Sequence, residues 1–313
     1  MNCPICEKSK IGTFYEDLLI CEFCRHIFFR GLENLEESDL AEYYSSQYTY
    51  GHNQRQIQEG SRAYFQSHVK ELMLYVSSSN PVRIVDYGCS YPFFLIEAKA
   101  QGCEAVGIEY DEDSRKFGTE NGITMIAPNS DMKAIPDGSV DILRCSHVLE
   151  HAIDPAKILM VLSEKLKPGG IIYITQPSFP VYKYSHDGGY KLKDSVFPGH
   201  LHFFNVLSLV TMLEKLENYE IHKIFTHTNA EEVFGQYADY MDCDTATDKL
   251  QKYKMAGESF FPKEGNYPIY AGENSFLIAR KVNNEVPNDL YNWRKRFRRF
   301  IHRARMSVAR LRL

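Results

Sequence analysis

The chain has 313 residues, of which 44% are hydrophobic and 25% charged, which is ordinary for a globular protein of about two domains. No apolar run reaches the ~20 residues of a membrane span, and no secretion signal is evident, so we expect a cytoplasmic protein. Residues 291–313 hold nine Lys and Arg and no acidic residue, whereas the first 290 residues hold 27 basic and 41 acidic residues. This acidic body disfavours nucleic acid as a partner.

Two CxxC pairs lie near the start of the chain, with fourteen residues between Cys6 and Cys21. Four thiolates at this spacing can close a tetrahedral structural zinc site that has no open position. A segment of about 30 residues buries little core, so the metal would supply its folding energy. We predict a zinc-ribbon-like segment over residues 1–30, and the alternative is a flexible N-terminus with reduced cysteines. The predicted ligands are Cys3, Cys6, Cys21 and Cys24.

Residues 31–80 are predicted to form a tyrosine-rich linker followed by a helix. Over residues 64–76 the apolar side chains fall on one helical face, and the polar run 77–81 ends the helix. The tyrosines before this helix are either a lid over a binding pocket or ordinary surface residues. They are Tyr43, Tyr44, Tyr48 and Tyr50.

A regular alternation of strands and helices begins at residue 82. The first β-branched run ends at Asp86, the chain turns at Gly88, and an apolar, helix-like run follows. This alternation predicts a Rossmann-like, doubly wound α/β fold with a seven-stranded, mostly parallel sheet. The predicted later strands are 105–109, 123–126, 140–146, 171–176, 219–226 and 275–280. The predicted helices are 93–101, 114–121, 155–166 and 206–216. Residues 167–170 are predicted to form a turn.

The end of the first two strands of this sheet has the features of a nucleoside-binding site. Gly88 can adopt positive φ and lets a ligand approach the backbone. The helix that follows brings its N-terminal N–H groups to the same point. Glu109, 21 residues after Gly88, ends the second strand, where an acid can accept hydrogen bonds from both ribose hydroxyls.

Six short motifs occur in order and resemble class I S-adenosylmethionine-dependent methyltransferases of the small-molecule type. The resemblance covers roughly residues 81–282 and implies S-adenosylmethionine as the cofactor. A zinc-ribbon start is also similar to a subgroup that acts on sugars or other small metabolites, often in surface-polysaccharide pathways. The motifs are Val85-Asp-Tyr-Gly-Cys89, Gly107-Ile-Glu109, Asp131-Met-Lys-Ala-Ile-Pro136, Asp137-Gly-Ser-Val-Asp-Ile142, His147-Val-Leu-Glu-His151 and Leu166-Lys-Pro-Gly-Gly170.

The resemblance assigns cofactor contacts position by position. It places Asp86, Gly88 and Ser90 at the methionine half of the cofactor and Glu109 at the ribose. It also places Asp131 at the adenine amino group, Met132 against the adenine ring and Ser146 near the sulfonium.

The glycine-rich turn departs from the family's Gly-x-Gly-x-Gly pattern. It reads Gly88-Cys-Ser90-Tyr-Pro92, so two glycines are missing and the turn has fewer conformations open to it. A serine is small and can donate a hydrogen bond, so cofactor binding can survive in altered form. The same turn lacks the Gly-x-Gly-x-x-Gly of a nicotinamide enzyme and disfavours a redox function.

A general base is expected where the acceptor is a hydroxyl. Our first choice is His151 assisted by Glu150, and the alternative is that His147 and His151 only pack or cap a helix. His200 and His202 follow the fifth strand of the sheet and are candidates for acceptor contact, with His202 as a further catalytic candidate. A metal site from these two histidines is disfavoured because the sequence shows no third ligand.

Residues 283–313 are predicted to form a basic amphipathic tail. Its apolar residues share one helical face and its nine basic residues crowd the rest, as in helices that lie on an anionic membrane surface or dock on a protein partner. The insertion 230–270 is rich in tyrosine and acidic residues, and we expect it to pack on the body of the protein more than to contact the acceptor.

The predicted function is methyl transfer to a small molecule, a sugar or surface-glycoconjugate precursor, and the alternative is a non-catalytic zinc- and cofactor-binding scaffold.

Overall fold

The computed structural model describes most of the body of the chain. The described residues are 1–15, 17–24, 26–40, 51–77, 81–128, 132–177, 200–204, 206–216, 218–226 and 274–282. The predicted tyrosine cluster, the insertion 230–270, the tail 283–313 and Asp131 lie outside them. None of the described helices has the length and apolar character needed to cross a membrane.

Seven strands form the central sheet, in the order β10-β11-β8-β7-β4-β5-β6. The four pairings among β6, β5, β4, β7 and β8 are parallel, and the two that add β11 and β10 are antiparallel. The predicted seven-stranded, mostly parallel sheet is therefore confirmed. The strands are β4 Arg83–Tyr87, β5 Glu104–Ile108, β6 Thr124–Ile126, β7 Val140–Ser146, β8 Leu166–Pro177, β10 Tyr219–Thr226 and β11 Asn274–Lys281.

Apolar helices cover both faces of this sheet, which gives the doubly wound architecture. One core cluster joins Phe65, Val69 and Leu72 to Phe93 and Phe94 beneath the sheet's first strands. A second cluster on the other face contains Leu159, Leu162 and Leu213. The helices are α1 Gly51–Gly60, α2 Arg62–Met73, α3 Phe93–Ala100, α4 Glu112–Glu120, α5 Pro155–Lys165 and α6 Val206–Lys215.

Two helix starts show why these segments are helical. The Asp111 carboxylate accepts a hydrogen bond from Ser114 N at 2.7 Å and caps α4. Asp154 caps α5 in the same way through Lys157 N, with Pro155 at the first helical position. Both caps satisfy backbone N–H groups that would otherwise lack partners at a helix start.

Two expectations about local structure are corrected. Residues 167–170, predicted as a turn, lie inside the twelve-residue strand β8, where the register with β7 shifts. Gly169 takes φ +83° there, so the Pro-Gly-Gly sequence produces an irregularity in the strand and does not end it. In addition, α1 (Gly51–Gly60) lies in the segment predicted as a linker.

A second, four-stranded antiparallel sheet joins the N-terminus to the central domain. Its order is β1-β2-β3-β9, and β9 pairs Ile27 with Phe203 and Phe28 with His202. The four-cysteine segment, residues 1–29, thus completes its sheet with a strand from far along the chain. Its strands are β1 Ile11–Tyr15, β2 Leu18–Cys21, β3 Ile27–Phe29 and β9 His202–Phe203. The domain boundaries given above remain predictions.

Candidate functional site

The turn after β4 is built around two residues with positive φ. Gly88 has φ +68°, and a Cβ there would lie 2.2 Å from Val148 Cγ2, so no other residue fits beneath Val148. Gly88 N donates to Ile108 O at 2.7 Å, which ties the turn to the end of β5. The turn therefore lies at the carboxyl edge of the sheet, where the strand order reverses between β4 and β7.

Ser90, at the position of the second glycine in the family's pattern, has a left-handed backbone conformation. Its φ is +48°, within the left-handed region that favours glycine. The departure from the glycine-rich pattern consequently changes the residue and keeps a left-handed turn. A side chain in this conformation costs on the order of 1 kcal/mol, and this turn carries that strain.

The Glu109 carboxylate holds this turn in place. Oε2 accepts a hydrogen bond from Ser90 N at 2.7 Å, and Oε1 accepts from Tyr110 N at 2.7 Å and from Asp111 N at 3.0 Å. Burial raises the pKa of Glu109, and these three backbone donors oppose the rise. Glu109 and Ser90, which the sequence assigned to opposite ends of one ligand, are thus joined directly at the sheet edge.

Tyr91 and Pro92 pack on α4, beside the turn. The Tyr91 ring lies nearly perpendicular to the Phe117 ring with 5.4 Å between centroids. Pro92 Cγ contacts the position a side chain would take at Gly118. Both side chains thus contact α4, whereas the side chain that covers Gly88 is that of Val148.

Asp86 forms a buried ion pair with Arg144 of β7. Arg144 Nη1 donates to Asp86 Oδ2 at 2.7 Å, and the Asp86 side chain is 1% exposed. Burial raises the pKa of Asp86 to about 6, and the Arg144 guanidinium limits this rise. The guanidinium also lies 4.5 Å from the centroid of the Phe94 ring. Asp86 thereby links β4 to β7 beneath the turn.

The four predicted cysteine ligands meet in one cluster. Cys3 Sγ lies 3.6 Å from Cys24 Sγ and Cys6 Sγ lies 3.4 Å from Cys21 Sγ, and all four sulfur atoms lie within 4.8 Å of one another. Ile5 N and Phe23 N each donate to the sulfur of the cysteine two residues earlier, at 3.4 Å. The donor set and its spacing fit a tetrahedral zinc ion.

His202 joins the four-cysteine segment to the central domain. Its Nε2 lies 2.8 Å from Ala152 O, so Nε2 donates, and Nδ1 then accepts from His26 Nε2 at 3.0 Å. Burial lowers the pKa of His202 to about 4, which keeps the imidazole neutral. Both ring nitrogens are engaged, so the structure gives this predicted catalytic residue a structural position.

The predicted pair Glu150 and His151 lies in a short 3-10 helix, Leu149–His151, just after β7. Glu150 is 1% exposed, whereas the His151 side chain is 27% exposed. Burial acts to raise the pKa of Glu150, but the surrounding imidazoles of His147, His151 and His200 outweigh it and lower the pKa to about 2. The structure thus brings a buried carboxylate and an accessible imidazole to the carboxyl edge of β7.

Two other predicted cofactor contacts lie at the same edge. Ser146 ends β7 and is half-buried, and its strand partner is Thr175 of β8. Met132 begins a short 3-10 helix, Met132–Ala134, and packs against the core cluster beside α5. The contacts predicted for these residues toward the sulfonium and the adenine ring stay predictions.

A comparison with known protein families shows which family this chain belongs to. Residues 54–223 match the family model described as a methyltransferase domain, which spans more than half of the chain. The chain belongs to the methyltransferase domain family. This membership confirms the class I resemblance drawn from the sequence motifs.

Individual relatives match a shorter part of this methyltransferase domain. The ubiquinone biosynthesis O-methyltransferase of Methylococcus capsulatus is 32% identical over 101 residues, which cover 30% of this chain and 42% of that protein. The thiol S-methyltransferase TMT1B of Homo sapiens is 26% identical over 132 residues, 38% of this chain and 50% of that protein. The chain therefore spans about half the length of these curated relatives or less.

Among solved structures, the magnesium protoporphyrin IX methyltransferase of Synechocystis with bound SAH is similar in fold. The superposition has a TM-score of 0.49 at 13% identity and covers 79% of this chain and 100% of that one.

Sequence reasoning missed three features of the methyltransferase site. Val148 covers Gly88, Arg144 pairs with Asp86, and His200 joins Glu150 and His151. The charge of Arg144 between the apolar residues Leu143 and Cys145 was a signal for the ion pair, because a buried charge needs a partner. No local pattern pointed to the other two contacts.

The strain at Ser90 gives a testable prediction. Ser90→Gly should raise the free energy of unfolding by roughly 0.5–1 kcal/mol, because glycine adopts φ +48° without a steric penalty. Urea denaturation measures the change. Ser67→Gly makes the same substitution on the exposed face of α2 and should lower stability by a similar amount. Equal effects of the two substitutions would contradict the strain at Ser90.

Proposed function

We propose that this protein transfers a methyl group from S-adenosylmethionine to a small-molecule acceptor. The observation that carries the proposal is the 2.7 Å hydrogen bond from Ser90 N to the Glu109 carboxylate. This bond lies in a left-handed turn at the point of the sheet where the strand order reverses. The carboxylate can still accept a hydrogen bond from one ribose hydroxyl, because three backbone donors occupy three of its four lone-pair sites and one site on Oε2 remains. Membership of the methyltransferase domain family supports this interpretation.

The chain's residues would act mainly by positioning the reactants. Methyl transfer is an in-line displacement, and alignment of this kind supplies about 7–11 kcal/mol in favourable cases. We place the adenosyl part of the cofactor along the edge from Gly88 to Glu109, and the acceptor beyond the end of β7. There the accessible His151, next to the Glu150 carboxylate, is positioned to receive the acceptor's proton.

The proposal also concerns the chemical class of the methyl acceptor. A sugar or surface-glycoconjugate precursor is proposed from the combination of the four-cysteine segment with a methyltransferase domain, as the sequence resemblance implies. The named relatives are a ubiquinone biosynthesis O-methyltransferase and a thiol S-methyltransferase, and each matches only about half of its length or less. Both names describe enzymes that methylate small molecules, which supports a small-molecule acceptor.

We further propose that the four cysteines bind one structural zinc ion. The four sulfur atoms lie within 4.8 Å of one another, which is the arrangement that one tetrahedral ion with four sulfur ligands requires. The ion would link the two CxxC turns and keep β3 in place to pair with β9. In this role the zinc ion takes no part in the chemical step, since all four positions are filled by sulfur.

Calorimetry with S-adenosylmethionine and S-adenosylhomocysteine tests the cofactor assignment. Glu109→Gln should weaken the binding of both by roughly 10–100-fold, because a charged acceptor in such a bond contributes about 1.5–3 kcal/mol. Glutamine keeps the shape of the side chain, so the free energy of unfolding, measured in parallel, separates lost binding from a lost turn.

Glu120→Gln serves as the matched control, because Glu120 is an exposed acid at the end of α4. It should bind both ligands as tightly as the parent protein. Unchanged binding by Glu109→Gln would overturn the ribose assignment, and a parent protein that binds neither ligand would overturn the proposed function.

A further inference from the structure

A second cluster of metal-ligating side chains lies at the carboxyl edge of β7, outside the four-cysteine segment. Glu150, His151 and His200 each place one ligand atom within 4.8 Å of the other two. The His151 and His200 rings lie 4.8 Å apart between centroids. Two elements far apart in sequence converge here, since Leu201 N donates to Glu150 O at 2.8 Å and fixes His200 beside the 3-10 helix.

The Glu150 carboxylate points to a missing ligand. It is 1% exposed, and no residue that the structure describes donates a hydrogen bond to either of its oxygens. Its ion pairs are long, with His147 Nδ1 at 3.5 Å and His151 Nε2 at 4.0 Å from Oε1. A metal ion bound between Glu150 and the imidazoles of His151 and His200 would compensate this buried charge at shorter range.

The types of ligand restrict which ion can bind. Two imidazoles and one carboxylate suit divalent transition metals such as Zn²⁺, Mn²⁺ and Fe²⁺, whereas Ca²⁺ and Mg²⁺ prefer sites built only from oxygen. Three protein ligands leave coordination positions open, as in catalytic metal sites and unlike the closed four-cysteine cluster. His151 and His200 are half-buried, so solvent reaches part of this cluster.

We propose that Glu150, His151 and His200 bind one divalent transition-metal ion whose open positions take oxygen atoms of the methyl acceptor. The expected acceptor is a molecule with a hydroxyl group, or two adjacent hydroxyl groups, that can ligate the ion. This inference rests on the proposed methyl transfer for its reaction and on the cluster alone for the metal site.

Methyl transfer to a metal-bound acceptor needs no reactant other than S-adenosylmethionine. A metal ion lowers the pKa of a bound hydroxyl, so its proton leaves to solvent at neutral pH. The resulting oxygen attacks the methyl carbon, the C–O bond forms as the C–S bond breaks, and S-adenosylhomocysteine departs. When the ion is bound, His151 coordinates it and no longer serves as the proton acceptor.

Cobalt(II) binding to the untagged, full-length protein tests the metal site directly. After removal of all metal and reloading with Co²⁺, elemental analysis should show two equivalents per chain. One equivalent should give the thiolate-to-metal charge-transfer band of a sulfur site, and the other should give only ligand-field bands of a nitrogen and oxygen site. Glu150→Gln should lose the second equivalent and keep the charge-transfer band.

Two further variants protect this test against misfolding. His200→Gln changes a half-buried side chain and should also lose only the second equivalent. His222→Gln changes a half-buried histidine of β10 and should keep both equivalents. A parent protein that binds only the thiolate-coordinated ion, or a Glu150→Gln protein that keeps both ions, would overturn the proposal.

Calorimetry with S-adenosylmethionine on the same samples separates this inference from the proposed function. A Glu150→Gln protein that loses the second ion should bind the cofactor as tightly as the parent, because Glu109 and Ser90 are unchanged. A parent protein that binds two ions but no cofactor would refute methyl transfer and leave the metal site standing. One that binds the cofactor but a single ion would refute the metal site alone.

Discussion

Replacing Cys3 and Cys6 with serine should remove the zinc ion and unfold the four-cysteine segment. These residues supply one of the two sulfur pairs, and structural zinc binding contributes about 10–16 kcal/mol in zinc-finger peptides. Two sulfurs cannot close the site. Because β3 pairs with β9, the loss should extend to residues 201–204 of the central domain. Zinc content per chain and amide hydrogen exchange at β2, β3 and β9 measure these effects.

Cys103→Ser is the control for this double substitution. Cys103 is a buried cysteine in a different core cluster from the four cysteines, and its thiol contacts Met73 Sδ at 3.8 Å. The Cys103→Ser protein should keep its full zinc content, and the amide hydrogens of β9 should stay protected from exchange. If the double variant kept its zinc, the four-cysteine site would be wrong. If zinc were lost while β9 stayed protected, the coupling between the two sheets would be wrong.

Breaking the buried ion pair between Asp86 and Arg144 should have the largest effect on the stability of the central domain. Arg144→Met keeps an apolar contact with Phe94 but leaves the Asp86 carboxylate buried without its partner. Loss of one partner of a buried pair costs about 3–5 kcal/mol. Urea denaturation, followed by the circular dichroism of the helices, should show a loss of this size in the free energy of unfolding.

Two comparisons separate burial of charge from simple loss of a contact. The double variant Asp86→Asn with Arg144→Met should recover part of the loss, because it leaves no uncompensated carboxylate. Lys10→Gln breaks an exposed pair with Glu22, whose side chains are 69% and 55% exposed, and should change stability by less than about 1 kcal/mol. A loss from Arg144→Met as small as that from Lys10→Gln would refute the proposed role of the pair.

The central sheet was predictable because its evidence is local. Apolar runs separated by helical periods predict parallel strands with helical crossovers, and β7 and β10 begin and end where the sequence predicted. The same logic failed at residues 167–170, since Pro and Gly usually indicate a turn. There β8 continues through an irregularity between the pairs Val140–Leu166 and Ile142–Ile171, with Gly169 at φ +83°.

The site was only partly predictable, because several of its contacts join distant parts of the chain. The four cysteines and Glu109 were visible from spacing alone. The left-handed conformation of Ser90 was not predictable, because residues other than glycine rarely adopt that region of φ and ψ. His200 lies 49 residues after His151 in sequence, and nothing in the pattern indicates that the two rings meet.

The pairing of β3 with β9 sets an order of events during synthesis. His26 and His202 are 176 residues apart, so at about 5–20 residues per second β3 waits roughly 9–35 s on the ribosome for its neighbour. During that interval β3 has an open edge, which is the kind of surface that recruits strands from other chains. Nascent chains crowded on one messenger RNA are therefore most exposed to mutual association between translation of residue 29 and residue 203.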